Sequence, residues 1–224
     1  MCFSATASFG SCALLTTIGV VTMAKTKTGP QRFLAAMPLI FAFQQFSEGF
    51  VWLSVQHAEF AQWKHIAMYS FLIDAQLVWP LFVSFAVWNI EPDPLRKKKL
   101  LWFPVSGILA GLFFIYCLCF CTADVVVSNY HIQYVLDFPL VHRWFYGIIY
   151  FIPAMVPTFF SSVKRMSWLG SLLFISYLIS RFFYKDYIVS VWCFFGALSS
   201  IVVLLIIMGQ GNNSRKVAVN NAAA

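Results

Sequence analysis

Seven stretches of the chain stay apolar over roughly the length that a bilayer core demands, and polar segments part them. They fall at 5–23, 33–55, 65–88, 100–121, 140–161, 167–184 and 187–208. A helix needs ~20 such residues to cross the hydrocarbon. The pattern predicts an all-α membrane protein, a seven-transmembrane-helix bundle forming one domain over 1–210, with a polar tail over 211–224. Only Lys185 and Asp186 separate the last two stretches. Fusing them would give a helix too long for the bilayer, so a tight helical hairpin is expected there. The first stretch follows Met1 without a basic leader and has no small-residue cleavage site at its end, so it reads as a retained helix.

Between the fourth and fifth stretches lies the long loop 122–139. Within it Tyr130, Ile132 and Tyr134 alternate with His131 and Gln133, the period of a half-buried strand. A short hairpin or lid over the outer mouth of the bundle is expected. Pro80, Pro153 and Pro157 fall inside spans and should kink them, freeing carbonyls that neighbours must satisfy. Gly107 and Gly111 form a small-xxx-small pair suited to helix packing.

The placement of charge orients the bundle. With the N-terminus outside, the cytoplasmic segments carry Lys25, Lys27 and Arg32, then Arg96 to Lys99, then Lys164 and Arg165, then Arg215 and Lys216. That is eleven of the fifteen basic residues, leaving only Lys64, Arg143, Arg181 and Lys185 elsewhere. Cytoplasmic loops retain Lys and Arg, so the C-terminus is expected in the cytosol. Composition agrees with this solvent: the chain is 61% hydrophobic and 10% charged, with a mean hydropathy of +0.79. The net charge of +7 therefore reports topology, since no basic, aromatic-interleaved stripe lies outside the spans. Nucleic acid is not an expected partner, whereas the lipid bilayer is.

Candidate chemistry concentrates at two carboxylates. Of eight acidic residues, Glu48 and Asp74 lie deep in apolar stretches, about 10 Å and about 14 Å below the outer surface by helical rise. Each costs about 2.5–3.5 kcal/mol to insert, so such residues face a bundle interior that compensates them. Gln44 and Gln45 precede Glu48 by four and three residues and share its helix face. Arg143 and Arg181, with His142 beside the former, fall about 5 Å below the outer helix ends. Inward pairing of one arginine with a carboxylate is expected, because a buried unpaired charge is costly. The candidate ligand-binding set is therefore Glu48, Asp74, Gln44, Gln45, Arg143, Arg181 and His142, fit for a small polar solute or a proton.

Other chemistries find less support. His57, His65, His131 and His142 lack any H-x-x-x-H or H-E-x-x-H spacing, so a metal site would have to be assembled from separate elements. Nucleophile-elbow, Walker and dinucleotide motifs are missing, and the seventh stretch has no lysine for a retinal Schiff base. No cofactor is implied. Cys2, Cys12, Cys117, Cys119, Cys121 and Cys193 include no C-x-x-C pair and read mainly as small apolar residues. A disulfide from Cys2 or Cys12 to the 117–121 cluster stays open if the outer side is oxidising. Ser4, Thr6 and Ser8 read as capping and packing residues of the first helix. Removal of Met1 would instead expose Cys2 as an N-terminal thiol.

The opening Met-Cys-Phe-Ser-Ala-Thr-Ala-Ser-Phe and the segment from Pro38 through Gln44-Gln45-Phe46-Ser47-Glu48-Gly49 to Trp52 together resemble an uncharacterised bacterial multi-pass membrane-protein family of unknown function. The resemblance implies a bacterial cytoplasmic membrane. It places Cys2, Ser4, Gln44, Gln45, Glu48 and Trp52 within shared motifs and implies no activity. A looser likeness to seven-helix membrane hydrolases fails at their paired late histidines, which this chain lacks. The expected function is an outward-accessible intramembrane polar pocket that binds or transports a small solute or proton. The alternatives are an intramembrane metal-dependent hydrolase and a structural or assembly subunit.

Overall fold

The computed structural model describes residues 4–128, 130–138 and 143–222, with the side chains of 143–144 and 211–222 outside the description. Helix dominates. The elements run α1 (Ala5–Ala24), α2 (Gly29–Ala35), α3 (Met37–Gln56), α4 (Lys64–Ile73), α5 (Trp79–Ile90), α6 (Pro94–Leu100) and α7 (Trp102–Phe120). A hairpin follows, β1 (Ala123–Ser128) and β2 (His131–Leu136), then α8 (Arg143–Phe160), α9 (Met166–Phe183), α10 (Ile188–Ala197) and α11 (Ser199–Ala222). Consecutive pieces α2–α3, α4–α5, α6–α7 and α10–α11 join almost end to end, so the described residues form seven helical rods.

Five rods are long and apolar enough to cross a membrane: Ala5–Ala24, Ala58–Ile90, Pro94–Phe120, Met166–Phe183 and Lys185–Gln210. The other two fall short for identifiable reasons. The rod of α3 carries Gln44, Gln45 and Glu48, all buried, which lower its hydropathy. The apolar described part of α8 is Phe145–Phe160. The expected break between the sixth and seventh apolar stretches is present, with α9 ending at Phe183 and a 3-10 turn over Lys185–Tyr187. Helical backbone continues through the polar tail to Ala222.

The exterior is apolar in the way lipid requires. On α7, Val105, Ile108, Leu109, Leu112 and Tyr116 are all exposed, and their spacing of three and four residues makes one continuous face. A water-soluble monomer rarely presents such a stripe. Hydroxyls on α1 are satisfied internally, Thr16 and Thr17 donating to the carbonyls of Cys12 and Ala13 at 2.8 and 2.9 Å, which removes their need for water. Ser4 caps α1 by accepting from the Ala7 N–H at 3.2 Å, as the sequence suggested.

Gly107 and Gly111 pack against the middle of the α4–α5 rod. A Cβ at Gly107 would lie 2.8 Å from the Pro80 carbonyl oxygen, and one at Gly111 would lie 2.7 Å from Leu77 Cδ1. The pair thus permits close approach within the bundle. The hairpin, expected from the alternation in 130–134, pairs Ala123 with Leu136 through Ser128 with His131. Tyr130 takes a left-handed φ of 60° in its turn. Val125, Ile132 and Tyr134 point inward, and the Tyr134 ring stacks on Phe71 of α4 at 4.6 Å. An ion pair of 2.7 Å joins Lys64 to Asp124 of β1. That ammonium group holds the Asp124 carboxyl below the usual carboxylate range.

Candidate functional site: a cavity beneath the hairpin

The α4–α5 rod is continuous but not regular, because a π-helical turn occupies Asp74–Val78. Its cause and its consequence are both visible. The Trp79 N–H bonds to the Asp74 carbonyl, so Ala75 loses its usual partner. The next residue able to serve Ala75 in this wider register is Pro80, which has no N–H. The Ala75 carbonyl is thereby freed in the interior, and the buried Tyr150 hydroxyl of α8 donates to it at 2.8 Å. The π turn thus ties α8 to the rod at the position where Asp74 sits; such turns recur at functional sites.

Around this point a polar cluster forms inside the bundle. Glu48 is fully buried on α3. It accepts from Ser190 Oγ of α10 at 2.5 Å and from Gln45 Nε2 at 3.3 Å. Gln44 Oε1 accepts from Trp79 Nε1 at 2.9 Å, and the Trp79 ring stacks on Phe41 at 3.9 Å. Cys193, one helical turn beyond Ser190, is buried and hydrogen-bonded to Gln44. Asp74 is 4% exposed, and its Oδ2 finds no hydrogen-bond partner among the described residues. The cluster thus draws side chains from three different rods, α3, α5 and α10.

Cys193 and Tyr150 also line the inner part of a cavity of about 730 Å³ beneath the hairpin. Its roof is Gln133 to Leu136 of β2, and its wall is aromatic, including Tyr146, Phe151, Tyr177 and Trp192. The Trp192 ring lies 5.2, 5.4 and 5.6 Å from those of Tyr150, Phe151 and Tyr177. Arg181, Lys185 and Asp186 stand exposed at the mouth. A volume of this size suits a drug-sized molecule.

Residues 1–219 match a protein family described as "Family of unknown function (DUF6629)". The chain belongs to this family. No curated protein and no solved structure matches it.

In this DUF6629 protein the sequence-derived candidates separate into two groups. Gln44, Gln45, Glu48 and Asp74 converge in the interior cluster, whereas Arg181 lines the cavity mouth and is exposed. Its side chain is exposed near the end of α9, which removes the burial cost that motivated an inward pairing. His142 and the Arg143 side chain lie outside the described residues, as does Cys2. Cys12 and Cys121 are free thiols. Among the described residues no three His, Cys, Asp or Glu side chains gather as a metal site.

Sequence reasoning missed Tyr150, Ser190 and Cys193. Each is an ordinary residue of an apolar helix until the fold sets it beside a carboxylate or a freed carbonyl. It also missed Glu91, just beyond α5 and 3% exposed. This carboxylate accepts from Ser161 Oγ at 2.7 Å, from the Ser162 N–H at 2.8 Å and from Ser162 Oγ, stitching the α8–α9 loop to the end of α5. Burial pushes its pKa up, but the bonds from Ser162, Ser161 and the Asp93 N–H outweigh that and hold it below the usual 4.5. A depressed folded value means that the stabilisation is full above about pH 4.5 and is lost as pH falls through the folded value. Glu91→Gln is expected to cost about 1–2 kcal/mol at pH 7. Melting curves from pH 7 down to pH 3 should show wild type and variant converging at the acid end; a constant gap would contradict this role.

Proposed function

We propose that this protein crosses a bacterial cytoplasmic membrane seven times, with its N-terminus outside and its C-terminus in the cytosol, and that the cavity beneath the hairpin binds or moves a small solute or proton. The observation that carries this reading is the outward cavity whose floor adjoins the Glu48–Asp74 cluster. A scaffold has no need of a cavity of about 730 Å³ ending at carboxylates that cost energy to bury. Eleven of fifteen basic residues on one side of the predicted spans support the orientation.

Topology is tested with a membrane-impermeant thiol reagent on cells carrying Lys27→Cys, Lys98→Cys or Glu59→Cys in a cysteine-depleted background. Only the residue-59 variant should label without permeabilisation. Labelling of residues 59 and 98 from the same side would defeat the seven-span arrangement.

Ligand binding is tested by melting the purified protein across pH 5 to 8 with a panel of monovalent cations and small polar metabolites. Binding to the folded state alone raises apparent stability. Glu48→Gln should keep a folded protein and lose that ligand-dependent rise. A wild type that no pH change and no solute stabilises, together with a Glu48→Gln, Asp74→Asn double variant more stable than either single one, would leave only the structural role.

A further inference from the structure

We propose that the cavity takes an amphipathic monoanion: a carboxylate held at the mouth by Arg181 and Lys185, with an apolar or aromatic body lying along Tyr146, Phe151, Tyr177 and Trp192. This rests on the reading of the cavity as a ligand pocket and adds the ligand's class and the direction in which it lies.

The distribution of positive charge is the first support. Four basic residues fall away from the predicted cytoplasmic segments, and Lys64 is neutralised by Asp124 at 2.7 Å. Two of the remaining three, Arg181 and Lys185, line the same cavity. Among the described residues neither makes an ion pair within 4 Å, although Asp186 shares the mouth. Two unpaired cations beside one acid leave the rim positive, and an arginine fork with a lysine is suited to a carboxylate.

The wall and floor supply the rest. Tyr146, Phe151, Tyr177 and Trp192 present ring faces and edges that reward an apolar or aromatic body. Phe151 and Tyr177 brace each other at 4.1 Å, and the Trp192 N–H is engaged by the Leu173 carbonyl at 3.3 Å. The wall is therefore largely committed before a ligand enters. At the inner end the lining is uncharged, with Ala75, Tyr150 and Cys193 facing the cavity, so the charge that orients a ligand lies at the mouth alone. Asp186 and Cys193 are separated along the chain by about 10 Å of helical rise. The cavity thus has a positive mouth and an aromatic length, and an amphipathic anion fits it with its head at the mouth.

The experiment uses the full chain in nanodiscs of zwitterionic lipid and measures equilibrium binding of four probes. These are 1-naphthoate, its neutral amide, the cationic 1-naphthylmethylammonium and decanoate. Naphthoate should bind at least tenfold more tightly than the amide. The Arg181→Gln, Lys185→Gln double variant should abolish that difference while amide binding and the melting temperature stay unchanged, both residues being exposed. Tyr177→Ala should weaken naphthoate and amide alike. Decanoate binding without naphthoate binding supports a ligand drawn from the bilayer; the reverse supports one from water. Equal binding of the three naphthyl probes, or preference for the ammonium, overturns the anion assignment while the pocket stands. Binding of none overturns it too, and the pocket reading is then judged separately by the cation and metabolite panel with Glu48→Gln.

Discussion

Replacing Glu48 by leucine is expected to cost on the order of 3–5 kcal/mol, the largest loss from any single change in the interior cluster. The carboxylate accepts from Ser190 Oγ and from Gln45 Nε2. Leucine removes the acceptor that both donors use. A buried donor that loses an acceptor costs about 1–3 kcal/mol. Glu48→Gln should be far milder, because its amide oxygen still accepts from Ser190 and Gln45 can turn its own amide to match. Reversible unfolding of the two variants in bicelles or detergent would compare them. Equal losses for Leu and Gln would mean that the hydrogen bonds described here do not hold α3 to α10.

Tyr150→Phe is the second large effect, expected at about 2–3 kcal/mol. The hydroxyl is the partner of an Ala75 carbonyl that the π turn and Pro80 together deprive of a backbone donor. A buried carbonyl that loses its donor bears the cost of that lost hydrogen bond. The mechanism makes a sharper claim than the single variant does. In a Pro80→Ala background a backbone N–H returns at residue 80 and can serve Ala75. Tyr150→Phe should then cost less than half as much. A double-mutant cycle reads this coupling directly. Strict additivity of the two substitutions would show that the Tyr150 hydroxyl acts elsewhere than on the freed carbonyl.

Both predictions concern residues whose roles differ in how legible they were. Glu48 and Asp74 stand out because a carboxylate in an apolar stretch is expensive wherever the chain then goes. Gln44 and Gln45 follow from helical spacing to Glu48. Tyr150, Ser190 and Cys193 carry no such mark, since a tyrosine, a serine or a cysteine costs little in an apolar helix that can satisfy or ignore it. Arg181 is the opposite case. Burial cost argued for an inward partner, but Arg181 is exposed near the end of α9 and lines the cavity mouth.

The chain's own pattern was sufficient for the apolar helices, the polar breaks between them, the hairpin of 123–136 and the close packing at Gly107 and Gly111. Each depends on spacing within one segment: length against a bilayer, alternation of period two, or small residues one turn apart. Tertiary structure alone decided that Asp74 lies in a π turn, that α10 delivers Ser190 and Cys193 to α3, and that an aromatic cavity separates the cationic mouth from the carboxylates. The last two require residues distant in sequence to meet, Glu48 and Ser190 standing 142 positions apart. Periodicity says which face of a helix is buried, but it carries no information about which neighbour that face will touch.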